Sequence, residues 1–138
     1  MSYDELQSGV VLHYPYLWGR EADRGETEGR SSAPPSSRCA CAGQARPTFL
    51  ALFPIATQQP EADRIAKEIP DTEKRHAGLD HSLRQWIILD EFNAEILPGT
   101  YYLEPDARLG RFNDLFFKPL VRDFAKRIDS VKVVKRYD

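Results

Sequence analysis

The sequence predicts a small, mainly β domain with helical additions, and three observations support this fold class. Five or six short segments rich in β-branched and aromatic residues are separated by turn residues, which is typical of strands. One longer stretch near the C-terminus repeats its apolar residues at helical spacing, which predicts a C-terminal helix. The chain has 138 residues, of which 41% are hydrophobic, and this suits a single domain over residues 1–138.

The first half of the chain contains two predicted strands. Residues 9–18 form the first, because they combine Val, Leu, Tyr and Trp, and Pro15 suits the end or the edge of a strand. Residues 19–30 follow as a charged loop with no apolar periodicity. Residues 48–55 resume the β pattern and are predicted to lie in the core. Residues 60–69 predict a short helix, with a partly extended segment as the alternative.

The second half contains the clearest strand and the main helix. Residues 85–91 are the strongest strand candidate, and residues 97–103 predict a turn followed by a strand. Asn113 is a candidate helix cap, and we expect a short first turn followed by a main helix that starts near Pro119, because proline disrupts a helix interior. Residues 131–136 predict a final short strand. The helical spacing is carried by Phe117, Val121, Phe124 and Ile128.

Residues 31–47 are predicted to be an irregular or mobile loop. They are rich in Ser, Pro, Ala and Gly and contain no Val, Ile, Leu or aromatic residue. Such a segment buries too little apolar area to offset the entropy lost on ordering. A structureless stretch of this length is unusual inside a compact domain.

Charge and cysteine content narrow the class of protein. The formal net charge is −2, so no global basic field indicates a nucleic-acid partner, although residues 118–138 hold seven Lys/Arg against three Asp. Cys39 and Cys41 are the two cysteines, which favours a reducing cytoplasm over a disulfide framework. No second pair of ligands accompanies them, so we expect no metal and no cofactor. We also expect no membrane partner, since the apolar stretches are far too short to cross a bilayer.

Several short motifs follow one another over roughly residues 8–128. They are Gly-Val-Val at 9–11, Gly-Glu and Gly-Arg at 25–26 and 29–30, Phe-Pro-Ile-Ala-Thr at 53–57, Gly-Leu-Asp at 78–80, and the apolar strand closing on Asp-Glu at 86–91. Each motif is weak alone. Their order and spacing resemble the pattern of the PemK/MazF family of toxin endoribonucleases.

The resemblance implies a fold, an activity and partners. The fold is an SH3-like small β-barrel of the PemK/MazF type, assembled as a homodimer. The activity is metal-independent cleavage of single-stranded RNA, in which the ribose 2′-OH attacks the adjacent phosphate. That chemistry needs a cation at the phosphoryl oxygens and groups that move protons. An antitoxin peptide lying across the RNA groove silences such a toxin.

The chain departs from the family pattern at the positions that carry catalysis. The Arg of the expected Arg-Pro falls on Ala33, and the Thr of Pro-Ile-Thr falls on Ala56. Our hypothesis for the first loss, and for the unusual composition around it, is a compensated frameshift or recombined stretch between about residues 31 and 47. The candidate catalytic residues that remain are Arg30, Arg46, Thr57 and Asp90.

Each candidate has an ordinary structural alternative. Arg30 and Arg46 are also typical solvated loop arginines, and Thr57 can cap a turn. Asp90 can be solvated or engaged in a salt bridge. The RNA-binding candidates are Glu26, in the Gly-Glu motif, with Tyr16 and Trp18, which can stack on bases or lie in the core.

Three functions therefore stay open at the level of the sequence. The protein is a PemK/MazF-like toxin with weak endoribonuclease activity, a non-catalytic relative that keeps the barrel and its groove, or an SH3-like binding module without toxin ancestry. The losses at Ala33 and Ala56 favour the second over the first.

Overall fold

A computed structural model of the chain describes residues 8–25, 38–43, 48–97 and 108–136, and over these ranges it is mainly β. The strands are β1 (Val10–His13), β2 (Arg38–Gly43), β3 (Thr48–Ala56), β4 (Ala66–Glu68), β5 (Trp86–Ile88), β6 (Glu91–Leu97), β7 (Arg108–Arg111) and β8 (Lys132–Lys135). The helices are α1 (Gly19–Asp23), α2 (Asp71–His76) and α3 (Asp114–Lys126), and a 3-10 turn follows at Ile128–Ser130. Within these ranges no helix is long and apolar enough to span a membrane.

The strands form one sheet that branches at the long strand β3. Strands β7, β1, β2 and β3 pair in this order, all antiparallel. The far edge of β3 pairs with β6 along its first half and with β5 at its end, where Ala56 lies opposite Trp86. Strand β4 extends the sheet beyond β5, and β8 pairs with β6 in parallel. Among the described residues the outer strands β7, β4 and β8 do not pair with one another, so the sheet is not closed into a barrel.

The predicted mainly β class with a C-terminal helix is confirmed, whereas the SH3-like barrel is not. The two faces of the sheet explain its packing. On one face, helix α3 inserts Phe124 between Phe53 and Phe92, with ring centroids 4.8 and 5.3 Å away. The other face carries Leu50 and Leu52 of β3, packed with side chains from β1 and β2. Alternation along β3 thus directs apolar side chains to both faces.

The irregular loop predicted over residues 31–47 is wrong for its central part. Residues 38–43 form β2, which pairs with β1 on one side and β3 on the other. Cys39, Ala40 and Cys41 are completely buried there. Burial raises the pKa of the Cys41 thiol to about 12 and also raises that of Cys39, so both stay neutral. Small apolar side chains are therefore sufficient for a strand that two neighbours hold in place. Residues 31–37 and 44–47 lie outside the described ranges.

Other local predictions need correction. Residues 60–69 contain the short strand β4, which agrees with the partly extended alternative rather than with the helix, and Pro70 precedes α2. The charged stretch after Trp18 begins with α1. Helix α3 runs without interruption from Asp114, so the predicted first turn and main helix are a single element with Pro119 inside it. The predicted strand at 97–103 falls largely outside the described residues.

Candidate functional site

An open groove of about 410 Å³ lies between α1, the end of β3 and the segment that leads to β4. We name it the Ala56 groove, because Ala56 occupies the position where the PemK/MazF pattern has threonine. Its polar lining carries both signs of charge, since it includes Arg20 and Arg64 as well as Glu61 and Asp63. The remaining lining residues are Trp18, Gln58, Gln59, Pro60 and Ile88.

Arg64 is held in the groove wall by two carboxylates. Its Nε donates to Asp90 Oδ2 at 2.9 Å, and its NH2 donates to Asp90 Oδ1 at 2.7 Å and to Glu91 Oε1 at 2.9 Å. The Asp90 carboxylate also accepts the Ile65 N–H at 3.1 Å. Paired hydrogen bonds of this kind fix the plane of a guanidinium group. We call Arg64, Asp90 and Glu91 the Arg64 network.

These contacts decide what Asp90 can do. Burial alone would raise the pKa of its carboxyl, but the hydrogen bonds from Arg64 and from the Ile65 N–H outweigh burial and hold that pKa below its ordinary value. A carboxylate with a lowered pKa, already bonded on both oxygens, is a poor acceptor for the proton of a ribose hydroxyl. The salt-bridged alternative for Asp90 is thus the one found in the structure.

Glu91 connects the Arg64 network to helix α1. Its side chain is buried, with 6% of the residue exposed. Its Oε2 accepts the Gly19 N–H at 2.8 Å and the Tyr16 hydroxyl at 3.0 Å. The start of α1, and with it the position of Arg20, therefore depends on a residue that also holds Arg64.

Alternate residues of β6 fasten the segment 14–19 across one face of the sheet. Tyr14 donates its hydroxyl to Glu95 at 3.1 Å, and Asn93 exchanges hydrogen bonds with both the N–H and the carbonyl of Leu17 at 2.9 and 2.7 Å. Tyr16, a candidate RNA contact, is only 4% exposed in this arrangement. Its ring belongs to the core, and its hydroxyl is already bonded to Glu91, so Tyr16 is not available to stack on a base.

Glu95 gives this segment a dependence on pH. The residue is completely buried, and its Oε2 has no hydrogen-bond partner among the described residues. Burial raises the pKa of its carboxyl, while Tyr14 and Arg136 partly oppose the shift. A carboxyl with a raised pKa in the folded state stabilises the fold at low pH, and this contribution is lost as the pH rises through that pKa.

Glu95→Gln is therefore expected to be more stable than the wild type at pH 8, by about 1 kcal/mol, the lower end of the cost of desolvating a buried polar group, because its amide carries no charge to bury. The difference should shrink at pH 4.5, because a raised pKa leaves more of the folded carboxyl protonated there. Urea unfolding at both pH values measures it, with the exposed Glu61→Gln as a control that should change little at either pH. An advantage of Glu95→Gln that is the same at both pH values would contradict ionisation as its cause.

Trp18 and Arg20 also line the groove. The Trp18 ring is half-buried and meets Tyr16 edge-on, with ring centroids 5.1 Å apart. The Arg20 guanidinium lies over the Trp18 ring, 4.9 Å from its centroid. The Trp18 N–H donates to Glu21 Oε1 at 3.1 Å, which closes the first turn of α1. A cation stacked on an aromatic ring is thus held on a short, capped helix.

The other predicted site residues have different positions. Thr57 is exposed at the bend that follows Ala56, outside the set of residues that line the groove. Glu26, Arg30 and Arg46 lie outside the described residues. Arg20 and Arg64 were missed by the sequence analysis. Arg20 adjoins Trp18 in the sequence, which could have suggested it, but the partners of Arg64 lie 26 and 27 residues away and left no local pattern.

Comparisons with protein-family models, with curated proteins and with solved structures find no match to this chain. The resemblance to PemK/MazF toxins therefore stays a prediction from the motifs of the sequence.

Proposed function

We propose that this protein is a PemK/MazF-like, toxin-type protein that binds single-stranded RNA in the Ala56 groove and cleaves it slowly or not at all. The proposal rests above all on the Trp18–Arg20 stack, which lines the same groove as a second arginine, Arg64. An aromatic ring beside a guanidinium group suits an unpaired strand, because the ring stacks on a base while the cation approaches a phosphate.

Weak catalysis follows from the groups that surround Ala56. The methyl group of Ala56 offers no hydroxyl to the phosphate, and Asp90 is bound to Arg64 rather than available as a base. The charge of Arg64 is itself balanced by two carboxylates, which reduces its ability to stabilise the extra negative charge of a transition state. The proposal includes two further properties of the family, an SH3-like barrel and assembly as a homodimer.

RNA binding is tested with a fluorescent, unstructured RNA of six nucleotides. Trp18→Ala is expected to weaken binding about tenfold or more, because stacking of one base on an aromatic ring contributes about 1–3 kcal/mol. Arg20→Ala should weaken it less. Arg75→Ala is the matched control, since Arg75 is exposed on α2 and does not line the groove. Equal affinities for the wild type and Trp18→Ala would rule out the groove as the binding site.

Cleavage is tested on a long unstructured RNA in the presence of EDTA. We expect no discrete fragments with cyclic phosphate ends, or fragments that form far more slowly than binding. Rapid cleavage that persists in Asp90→Ala would contradict the impaired chemistry assigned to Ala56 and Asp90.

A second candidate function is a non-enzymatic module that binds an antitoxin peptide. The observation in its favour is the mixed charge of the groove, where Glu61 and Asp63 oppose a polyanion but suit a peptide with basic side chains. A short reading frame immediately upstream of the gene would supply the peptide to test. Tight binding of that peptide, abolished by Trp18→Ala, together with no RNA binding, would favour this candidate.

A further inference from the structure

Basic residues are concentrated in the last part of the described chain. Residues 118–136 contain seven Lys/Arg and two Asp, although the whole chain has a formal net charge of −2. This imbalance is local, and it coincides with α3 and β8. A local concentration of cations attracts a polyanion even when the net charge of a protein does not.

Three of these cations share the outer face of α3. Lys118, Arg122 and Lys126 are spaced four residues apart, so each lies about 6 Å along the helix from the last, at 1.5 Å per residue. All three are exposed, while Phe117 and Phe124 bury the opposite face in the core. We name this surface the α3 basic face. Its spacing allows one cation to reach each of several successive phosphates of an extended strand.

The cations of the α3 basic face are little engaged within the protein. Lys118 makes one solvent-exposed ion pair, with Asp114 at 3.7 Å, which contributes little to stability. Within the described ranges, Arg122 and Lys126 form no ion pair or side-chain hydrogen bond. Asp123 lies three residues before Lys126 and so borders one side of this face, where it offsets part of the charge. The charge on this face is therefore available to a partner.

The chain that leaves α3 leads back to the Ala56 groove. After the 3-10 turn, the Lys132 N–H donates to the Asp90 carbonyl at 3.0 Å, behind the Arg64 network. The Lys132 ammonium pairs with Asp23 of α1 at 2.7 Å, at the end of the helix that carries Arg20. The C-terminal end of α3 is thus connected along the chain to α1, but α3 packs on the Phe53 face of the sheet and Trp18 on the Leu50 face, so a strand bound at both surfaces passes around the edge of the sheet.

We infer that the α3 basic face is a second contact surface for single-stranded RNA, which binds the phosphates of nucleotides that extend beyond the Ala56 groove. This inference rests on the proposed RNA binding of the groove. A longer strand should consequently bind more tightly than a short one. The additional contacts are ionic and independent of base sequence.

The test compares two RNA lengths and two charge-matched double variants. Arg122→Gln with Lys126→Gln removes two cations of the α3 basic face, and Lys67→Gln with Arg75→Gln removes two exposed cations elsewhere. Affinities for unstructured RNAs of 6 and 20 nucleotides are measured between 50 and 200 mM salt, about the range over which phosphate contacts weaken strongly. Glutamine keeps the helix, and circular dichroism checks that each variant is folded.

For the 20-nucleotide RNA, Arg122→Gln with Lys126→Gln should weaken binding roughly tenfold at the lower salt. It should also reduce the slope of log affinity against log salt by about 1.4, or 0.7 for each phosphate that the variant no longer neutralises. Its affinity for the 6-nucleotide RNA should equal that of the wild type. The control pair should leave both RNAs nearly unchanged.

The inference fails if both double variants weaken the long RNA equally, because net charge alone would then explain the loss. It also fails if Arg122→Gln with Lys126→Gln binds the long RNA like the wild type, or if an acidic polyglutamate peptide binds this face while RNA does not. Failure of the groove proposal is distinguished by the 6-nucleotide RNA, whose binding would then not respond to Trp18→Ala.

Discussion

Arg64→Ala is expected to lower the free energy of unfolding by about 3 kcal/mol, the scale of breaking a buried ion pair by removing one partner. The variant leaves Asp90 and Glu91 adjacent without the guanidinium that now bonds to both. Glu91 is the more costly of the two, since only 8% of its side chain is exposed. Urea unfolding followed by circular dichroism measures the change.

The chain contains a matched control for this prediction. Arg84 bonds to Glu68 through both Nε and NH2 at 2.9 Å, so its geometry resembles that of Arg64 with Asp90. The side chains of this second pair are 64% and 45% exposed. Arg84→Ala should therefore cost less than about 1 kcal/mol, the range for exposed ion pairs.

A double variant isolates the buried charge as the cause. Adding Glu91→Gln to Arg64→Ala removes the stranded negative charge while its side-chain oxygen can still accept from Gly19 and Tyr16. We expect the double variant to recover a third to a half of the lost stability. If Arg64→Ala and Arg84→Ala destabilise the protein equally, burial of Glu91 is not what makes the Arg64 network important.

Much of the fold was predictable from apolar patterning alone. Strand β3 is confirmed because it is a continuous apolar run, and helix α3 because its large apolar residues repeat at the period of a helix. Strand β2 escaped prediction because its buried residues are Cys and Ala, which fill the space between two stronger strands without a pattern of their own. Only tertiary pairing makes such a sequence a strand.

Strand β6 was missed because polar residues, rather than small apolar ones, occupy its buried positions. Glu91, Asn93 and Glu95 alternate along it, and alternating polar residues normally indicate a solvated face. Here they face inwards and bind Tyr14, Tyr16 and Leu17 of the segment that crosses the sheet. Polar residues can occupy a core when each finds a specific partner, and such partners are distant in the sequence.

The same limit applies to the candidate site. Trp18 and Asp90 were identified from the sequence, one as an aromatic residue and one as a motif acid, but their neighbours were not. The wall of the groove depends on Arg64, which sits in a segment predicted to be helical and is held by residues 26 positions away. Local patterns thus indicate which residues bear chemistry, whereas tertiary contacts decide whether that chemistry is available.

Gly110→Ala is expected to destabilise the protein by about 3 kcal/mol or more, the upper range for overpacking, because the added carbon meets backbone that cannot yield easily. A Cβ at this position would lie 2.6 Å from the Ala77 carbonyl oxygen and 2.9 Å from the Ala77 Cα. The approach is reciprocal, since a Cβ on Gly78 would lie 2.5 Å from the Leu109 carbonyl oxygen. Strand β7 and the end of α2 therefore pack backbone against backbone.

The expected damage extends to the start of α3. Glu73 of α2 accepts hydrogen bonds from the N–H and the side-chain amide of Asn113 at 2.9 and 2.8 Å, so a displaced α2 loses its hold on the residue that precedes α3. Gly25→Ala serves as the control. Gly25 has a positive φ of 85°, but a Cβ there would have nothing within 4 Å.

Gly25→Ala should thus show only the strain of a left-handed alanine, about 1–2 kcal/mol. Urea unfolding of the two variants separates steric contact from backbone strain, because only Gly110→Ala introduces the contact. The expected difference also reports on function, since the α3 basic face is held in place partly through Asn113. If Gly110→Ala proves as stable as Gly25→Ala, β7 does not lie against α2 in solution, and the position assigned to α3 loses one of its supports, although Phe124 still packs against Phe53.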